Sequence, residues 1–209
     1  MLKNDTVQII LEKALWMRRR AFQMVHDAQL GHPGGDFSAI DIIATLYFGV
    51  MQYDATNPEL ESRDRFIMSK GHATGALYTA LCAAGYYPEA WLNTYMQPNS
   101  KLNGHPNRNY LPGVETNTGP LGHGMPVALG IATLGLATSA SADPSEGHLP
   151  TGNLTTVHGT LALDGGNASD RRADRFHECM VRAQASGMPL TGATIEGCVV
   201  VMNMMGDDN

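Results

Sequence analysis

The sequence contains little cysteine, little charge and no long apolar run. Its 209 residues include three cysteines, Cys82, Cys179 and Cys198, and no C-x-x-C pair, so neither a disulfide framework nor a zinc cluster is predicted. Charged residues make up 16% and the net charge is −6, which argues against a nucleic-acid partner, because phosphate backbones are bound by basic faces. No stretch approaches the roughly 18 apolar residues of a membrane span. The N-terminal residues lack the pattern of a signal peptide. We therefore expect a cytoplasmic protein that binds neither nucleic acid nor membrane.

Helical patterns separated by Gly-rich loops run through residues 6–138, and the length suits one α/β domain. The first helix, over residues 6–28, should stop near Gly31, and a second should start after Ser38, which can cap it. Residues 65–69 predict a strand. Small-residue helices are expected over 73–84, ending at Gly85, and over 126–136. The apolar positions of the first helix are Val7, Ile10, Leu11, Ala14, Leu15, Ala21, Phe22 and Val25. In the second helix, the apolar stripe expected to be buried is Ile42, Ile43, Leu46, Tyr47 and Val50.

The C-terminal third differs in composition from the rest of the chain. Ser, Thr, Gly, Asp and Asn dominate residues 139–197, where apolar periodicity is weak. We divide the chain into a domain core over 1–138, a weakly patterned insertion or divergent segment over 139–197, and a strand with a loop remnant over 198–209. The apolar run 199–202 predicts the buried strand.

Five of the eight histidines directly follow a glycine: His32, His72, His105, His123 and His148. A single histidine in such a loop is most often a surface residue. Several of them, in separate Gly- and Pro-rich loops of one domain, indicate a cleft that admits a ligand. Histidine exchanges protons near neutral pH, so the pattern suits chemistry on hydroxyl and carbonyl oxygens. Zinc is disfavoured, since no i, i+4 pair and no partner cysteine accompanies them.

Four segments carry a resemblance to a known family. In chain order they read GHPGG (31–35), DRFIMSKGHA (64–73), GHP (104–106) and PGVETNTGPLGHG (112–124). In order and separation they resemble the motifs of the transketolase N-terminal domain, over residues 8–138. The resemblance implies an α/β, three-layer thiamine-diphosphate-binding fold. Its sheet would be mostly parallel, and the fold would be incomplete or irregular in the C-terminal third.

The resemblance also implies roles for particular residues. His32, His72 and His105 would line the cavity over the thiazolium ring as the catalytic side chains, and His72 would also contact the cofactor. The loop against the aminopyrimidine would be Gly119, Pro120 and Leu121, where glycine permits close approach. The family often has glutamine at the position of His123, to which we assign no catalytic role.

A metal site is the least complete part of the resemblance. The family binds Mg²⁺ or Ca²⁺ with the aspartate of a Gly-Asp-Gly loop after a strand, and with a later asparagine. Asp207, after the strand expected over 199–202, is the candidate ligand. Here the second glycine is replaced by Asp208, and the chain contains no residue at the position of the asparagine. The acidic loop 164–167, which contains Asp164, is the alternative.

The resemblance implies the N-terminal subunit of a transketolase-like enzyme that transfers a two-carbon ketol unit from a ketose to an aldose. Thiamine diphosphate, Mg²⁺ or Ca²⁺ and a C-terminal partner subunit would be required. The assembly would be a homodimer or heterotetramer acting on phosphorylated sugars or related ketoses and aldoses. The chain alone is expected to be inactive. The alternative is a degenerate or truncated, non-catalytic homologue acting as a binding or assembly module. An unrelated small-molecule-binding domain would require the four motifs to coincide by chance.

Overall fold

The structure is a computed structural model that describes residues 4–140, 153–156, 159–162 and 198–201. The helices are α1 (Asn4–Ala28), α2 (Pro33–Thr45), α3 (Thr74–Ala83) and α4 (Gly124–Ala140). A π-helical turn, Leu46–Val50, continues α2, and a 3₁₀ helix spans Glu89–Thr94. The strands are β1 (Arg65–Met68), β2 (Asn153–Thr156), β3 (Gly159–Ala162) and β4 (Cys198–Val201). The helices expected over 6–28, 73–84 and 126–136 and the strands expected over 65–69 and 199–202 are confirmed, with shifts of a few residues at their ends.

Helices α1, α2 and α3 pack together around one hydrophobic core. The buried face of α1 consists of Ile10, Ala14, Met17, Ala21 and Met24, which recur every three or four residues as one stripe of an α-helix. Leu15 and Phe22, which share its apolar pattern, are about half exposed. The stripe expected in the second helix is buried throughout, although its last three residues belong to the π-helical turn.

The expected start of α2 was wrong. The helix begins at Pro33 rather than after Ser38, because proline is preorganised for the first helical turn and its missing N–H has no partner there in any case. Ser38 lies inside the helix, where its hydroxyl donates to the carbonyl of Gly35 at 2.9 Å instead of capping the helix.

Gly85 ends α3, as expected. It adopts φ +94°, and its N–H donates to the Cys82 carbonyl at 3.0 Å. The N–H of Tyr86 donates to the Leu81 carbonyl at 3.0 Å, which completes a Schellman motif. The left-handed conformation at this position is readily adopted by glycine.

Strand β1 lies between two helical layers. Phe66 and Met68 point into the core formed by α1, α2 and α3. Ile67, on the opposite side of the strand, packs with Ala128 and Ala132 of α4. The end of β1 and the turn after it are therefore fixed from both sides, and this turn carries His72.

The mostly parallel sheet is not confirmed. The described strands are ordered β1-β4-β2-β3, and all three pairings are antiparallel. Two residues separate β2 from β3, so these strands form a hairpin and must run antiparallel. Neither was predicted, because the segment that contains them shows weak apolar periodicity.

Candidate cofactor and substrate site

His32 and His72 come together from two different loops. His32 occupies the position before the first turn of α2, and its side chain makes no capping hydrogen bond there. His72 lies in the turn between β1 and α3. Their ring centroids are 4.9 Å apart at an interplanar angle of 69°, an edge-to-face contact. Two motifs separated by about forty residues therefore form one surface.

The pKa of His72 is lowered. Burial of the half-buried ring is the largest cause, followed by the positive charges of His32, Lys70 and His105. The neutral imidazole is therefore favoured at neutral pH. A neutral ring presents one donor and one acceptor nitrogen, so it can accept as well as donate a hydrogen bond.

His105 contacts the loop of residues 112–123, which we call the GPL loop. A Cβ atom at Gly119 would lie 3.5 Å from Cδ2 of the exposed His105 ring. Glycine at this position keeps the space beside the ring open, which suits a flat ligand close to the backbone. Pro120 and Leu121 are exposed, and Leu121 retains 73% of its accessible surface. The structure thus brings His32 to His72, and His105 to Gly119.

The GPL loop passes directly over the turn that carries His72. A Cβ atom at Gly71 would lie 2.5 Å from the carbonyl carbon and oxygen of Thr118, far inside van der Waals contact. Only glycine fits where two backbones approach this closely. Gly71 therefore sets the distance between the His72 turn and the loop that bears Gly119.

Lys70, beside His72, is buried, and Nζ donates to Ser38 Oγ at 2.6 Å. The Ser38 hydroxyl in turn donates to the Gly35 carbonyl. This chain of hydrogen bonds connects the turn before α3 to the first turns of α2. The positive charge of Lys70 contributes to the lowered pKa of His72.

Asp36 is a buried acidic residue that sequence reasoning missed. Its carboxylate accepts the N–H of Ala76 at 3.0 Å and so caps the N-terminus of α3 from α2. Gly75 is required beside it, because a Cβ atom there would lie 2.6 Å from Asp36 Oδ2. Burial raises the pKa of Asp36 to about 6, against the opposing effects of the Ala76 and Gly75 N–H groups and of the charges on His32 and Lys70. The sequence signal that could have indicated Asp36 is its position immediately after the GHPGG motif.

The metal candidates, Asp207 and the alternative loop 164–167, lie outside the described residues. Both are preceded by a strand, β4 for Asp207 and β3 for the alternative, so the strands do not decide between them. Within the described part of the chain, no three His, Cys, Asp or Glu residues are grouped so that they could hold a metal ion. No helix within the same part is long and apolar enough to span a bilayer.

Comparison with known proteins identifies the class. Residues 12–168 match the family described as "Transketolase, thiamine diphosphate binding domain", and the chain belongs to this family. The resemblance to the transketolase N-terminal domain is therefore confirmed.

Among individual relatives, the chain is 51% identical over 102 residues to a protein of Actinobacillus succinogenes that is named as one subunit of apulose-4-phosphate transketolase, covering 49% of this chain and 37% of that protein. It is 41% identical over 131 residues to the protein of the same name from Phocaeicola vulgatus, covering 63% and 45%. Transketolase 2 of Escherichia coli is 42% identical over 117 residues, covering 56% and 18%. The chain thus spans less than half the length of each of these relatives.

Solved transketolases share the fold. The enzyme from Leishmania mexicana superposes with a TM-score of 0.61 at 36% identity, over 64% of this chain and 20% of that one. The enzyme from Campylobacter jejuni superposes with a TM-score of 0.60 at 26% identity, over 90% of this chain and 36% of that one. The described part therefore has the α/β fold of a thiamine-diphosphate-binding domain.

Proposed function

We propose that this chain is the N-terminal subunit of a thiamine-diphosphate-dependent, transketolase-like enzyme that transfers a two-carbon ketol unit from a ketose to an aldose. The proposal is carried by the contact of the His32 and His72 rings, with the charge of His105 acting on His72 and the His105 ring lying beside Gly119. The similarity to two proteins that are named as single subunits of apulose-4-phosphate transketolases supports a divided enzyme. A C-terminal partner subunit would then supply the remainder of the active site.

The residues present fit the aminopyrimidine and substrate side of the cofactor. Gly119 leaves its backbone open beside His105, and Pro120 and Leu121 extend an exposed surface next to it. When bound, thiamine diphosphate supplies the carbon nucleophile that attacks the ketose carbonyl. The part of this chain is to orient the sugar and to move protons on its hydroxyl groups.

Each histidine has a distinct environment for that work. His72 is half-buried and favoured as the neutral ring, so it can accept a proton from a substrate hydroxyl or hydrogen-bond to the cofactor. His32 and His105 are exposed and can donate to developing oxyanions. Holding the three histidines and the sugar in a fixed geometry accelerates the reaction, because the reacting groups no longer have to meet by diffusion.

The diphosphate would be held through Mg²⁺ or Ca²⁺, and Asp207 stays the predicted ligand from this chain. Hard oxygen ligands are what these cations prefer. Phosphorylated ketoses and aldoses are the proposed substrates, in line with the phosphate ester in the names of the two apulose-4-phosphate transketolase relatives. The proposed assembly is a homodimer or a heterotetramer.

The test is reconstitution with a C-terminal transketolase subunit encoded beside this chain. We expect calorimetry of the complex to show saturable thiamine diphosphate binding that EDTA abolishes, and a coupled assay to show ketol transfer. The chain alone should show no transfer. Cofactor binding without transfer in the reconstituted complex would contradict the proposed reaction. Absence of metal-dependent binding would instead favour the non-catalytic homologue.

A further inference from the structure

A buried ionic cluster connects the GPL loop to strand β1. The Glu115 carboxylate accepts hydrogen bonds from both Nη1 and Nη2 of Arg63, the second at 3.1 Å. Arg65 Nη1 donates to Glu115 Oε2 at 3.0 Å. The side chains of Arg63 and Glu115 are each only 6% exposed, and that of Arg65 is 30% exposed. We call these three residues the Glu115 clamp.

Arg63 also donates to two backbone carbonyls besides the Glu115 carboxylate. Its Nε donates to the Pro58 carbonyl at 2.5 Å, and its Nη1 also contacts the Asp64 carbonyl at 3.3 Å. Arg65 is the first residue of β1, which is fixed by pairing with β4 and by its buried side chains. Arg65 therefore belongs to a paired strand and Arg63 is held by two backbone carbonyls, whereas the carboxylate of Glu115 belongs to the irregular GPL loop.

The clamp lies close to the functional end of that loop. Glu115 is four residues before Gly119. Between them, Asn117 Oδ1 accepts the Arg108 N–H at 2.9 Å, and Thr118 passes over Gly71. The segment thus follows β1 from its first residue to the turn that carries His72. The close approach at Gly71 limits how near the loop can come, whereas the clamp supplies the attraction that keeps it there.

From this geometry we infer that Glu115 is a positioning residue for cofactor binding, because its ion pairs with Arg63 and Arg65 hold Gly119, Pro120 and Leu121 at their distance from His72 and His105. The identity of the ligand as thiamine diphosphate rests on the proposed function. The inference about loop position stands on the contacts alone.

Loss of the carboxylate would act on the loop rather than on the strand. Glu115→Gln would leave two guanidinium groups, one of them buried, facing no negative charge, and buried charges without partners are strongly unfavourable. Because β1 is held by the core and by β4, the loop is the part that can move to let water reach the arginines. That movement would carry Gly119 away from His105.

The matched control is Asp41→Asn. Asp41 is also a buried carboxylate paired with an arginine, since Arg18 Nη2 lies 2.8 Å from Oδ1 and 2.7 Å from Oδ2. That pair joins α1 to α2 and does not involve the GPL loop. Both variants should therefore be destabilised in urea, while their effects on the loop should differ.

The experiment measures two quantities for the full chain. Hydrogen exchange followed by mass spectrometry reports the protection of amides 115–123, and calorimetry of the complex reports thiamine diphosphate affinity in Mg²⁺. For Glu115→Gln we expect faster exchange in this segment and at least about tenfold weaker cofactor binding, since small misplacements of positioning groups have large effects. Asp41→Asn should leave both at the wild-type level.

Arg65→Gln is the milder second variant, and it applies if Glu115→Gln fails to fold. It keeps the buried pair of Arg63 and Glu115, so an intermediate increase in exchange of the loop is expected. Unchanged exchange of 115–123 in both loop variants, or an equal increase in Asp41→Asn, would overturn the inference. If the wild-type complex binds no cofactor, the proposed function fails, and the exchange result still decides whether the clamp positions the loop.

Discussion

His72 and His123 both follow a glycine, but the structure gives them different surroundings. His72 is half-buried against His32, whereas His123 is exposed near the start of α4. We expect His72→Gln to lower kcat/KM of the reconstituted complex by about 10²-fold, because glutamine can hydrogen-bond but cannot exchange a proton. His123→Gln, the matched control, should retain wild-type kcat/KM in the same coupled assay. Equal losses in the two variants would contradict the role of His72.

Gly71 is a second position where a single residue decides the geometry. In Gly71→Ala, the new Cβ would meet backbone atoms of Thr118 at 2.5 Å, and these cannot rotate away as a side chain could. We expect a loss of about 1–3 kcal/mol in the free energy of unfolding, as for other overpacked sites, together with weaker cofactor binding. Urea denaturation and calorimetry measure the two effects.

Gly130→Ala is the control for this substitution. Gly130 lies in α4, and among the described residues no atom comes within 4 Å of a Cβ built there. Alanine should stabilise that helix by about 0.5–1 kcal/mol. If Gly71→Ala unfolds at the same urea concentration as the wild type, the close contact with Thr118 is incorrect.

At the scale of elements, Asp36 links two helices, since it lies on α2 and caps α3. Burial raises its pKa from 3.8 to about 6, so folding favours the protonated form. Its contribution to stability is therefore present below pH 3.8 and is lost as the pH rises through about 6. A shift of about two pKa units corresponds to about 3 kcal/mol.

We expect Asp36→Asn to remove this pH dependence. Between pH 4 and pH 7, the free energy of unfolding of the wild type should fall relative to that of the variant by up to about 3 kcal/mol. Urea titrations at several pH values measure the difference, and titration of His72 is common to both proteins and cancels. Parallel curves for the two proteins over this range would show that Asp36 is not a buried acid with a raised pKa.

The helices could be predicted from sequence because their signals are local. Apolar spacing predicted α1, and Gly85 marked the end of α3. The start of α2 was misplaced because Ser38 and Pro33 give competing signals, and proline in the first turn prevailed over serine as a cap. The 3₁₀ helix Glu89–Thr94 and the hairpin of β2 and β3 were missed, since neither carries a clear apolar period.

The residues of the candidate site also differ in whether they carry a local sequence signal. His32, His72 and His105 could be proposed from sequence because each follows a glycine within its own motif. Asp36 and Glu115 could not, because their partners are distant in sequence: Asp36 meets Ala76 40 residues away, and Glu115 meets Arg63 52 residues away. Such tertiary contacts have no local signal, so the roles of these residues became visible only once the fold had brought their partners together.

At the scale of the whole molecule, α1 organises the core, since it packs against both α2 and α3. Met17 faces that core and is 0% exposed, whereas Leu15, two residues earlier, is 46% exposed. The spacing of apolar residues placed Leu15 on the apolar face, and the structure shows that the deeper face passes through Met17. These two residues therefore offer a matched comparison of buried and exposed positions on one helix.

We expect Met17→Ala to lower the free energy of unfolding by about 2–5 kcal/mol, because truncating a buried side chain loses its burial and leaves a cavity. Leu15→Ala should change it by less than about 1 kcal/mol, as exposed substitutions usually do. Urea denaturation followed by circular dichroism measures both. The loss in Met17→Ala should appear as a shift of the whole transition, since α1, α2 and α3 share one core. Equal losses would mean that α1 is rotated about its axis, and the assignment of its buried face would then be wrong.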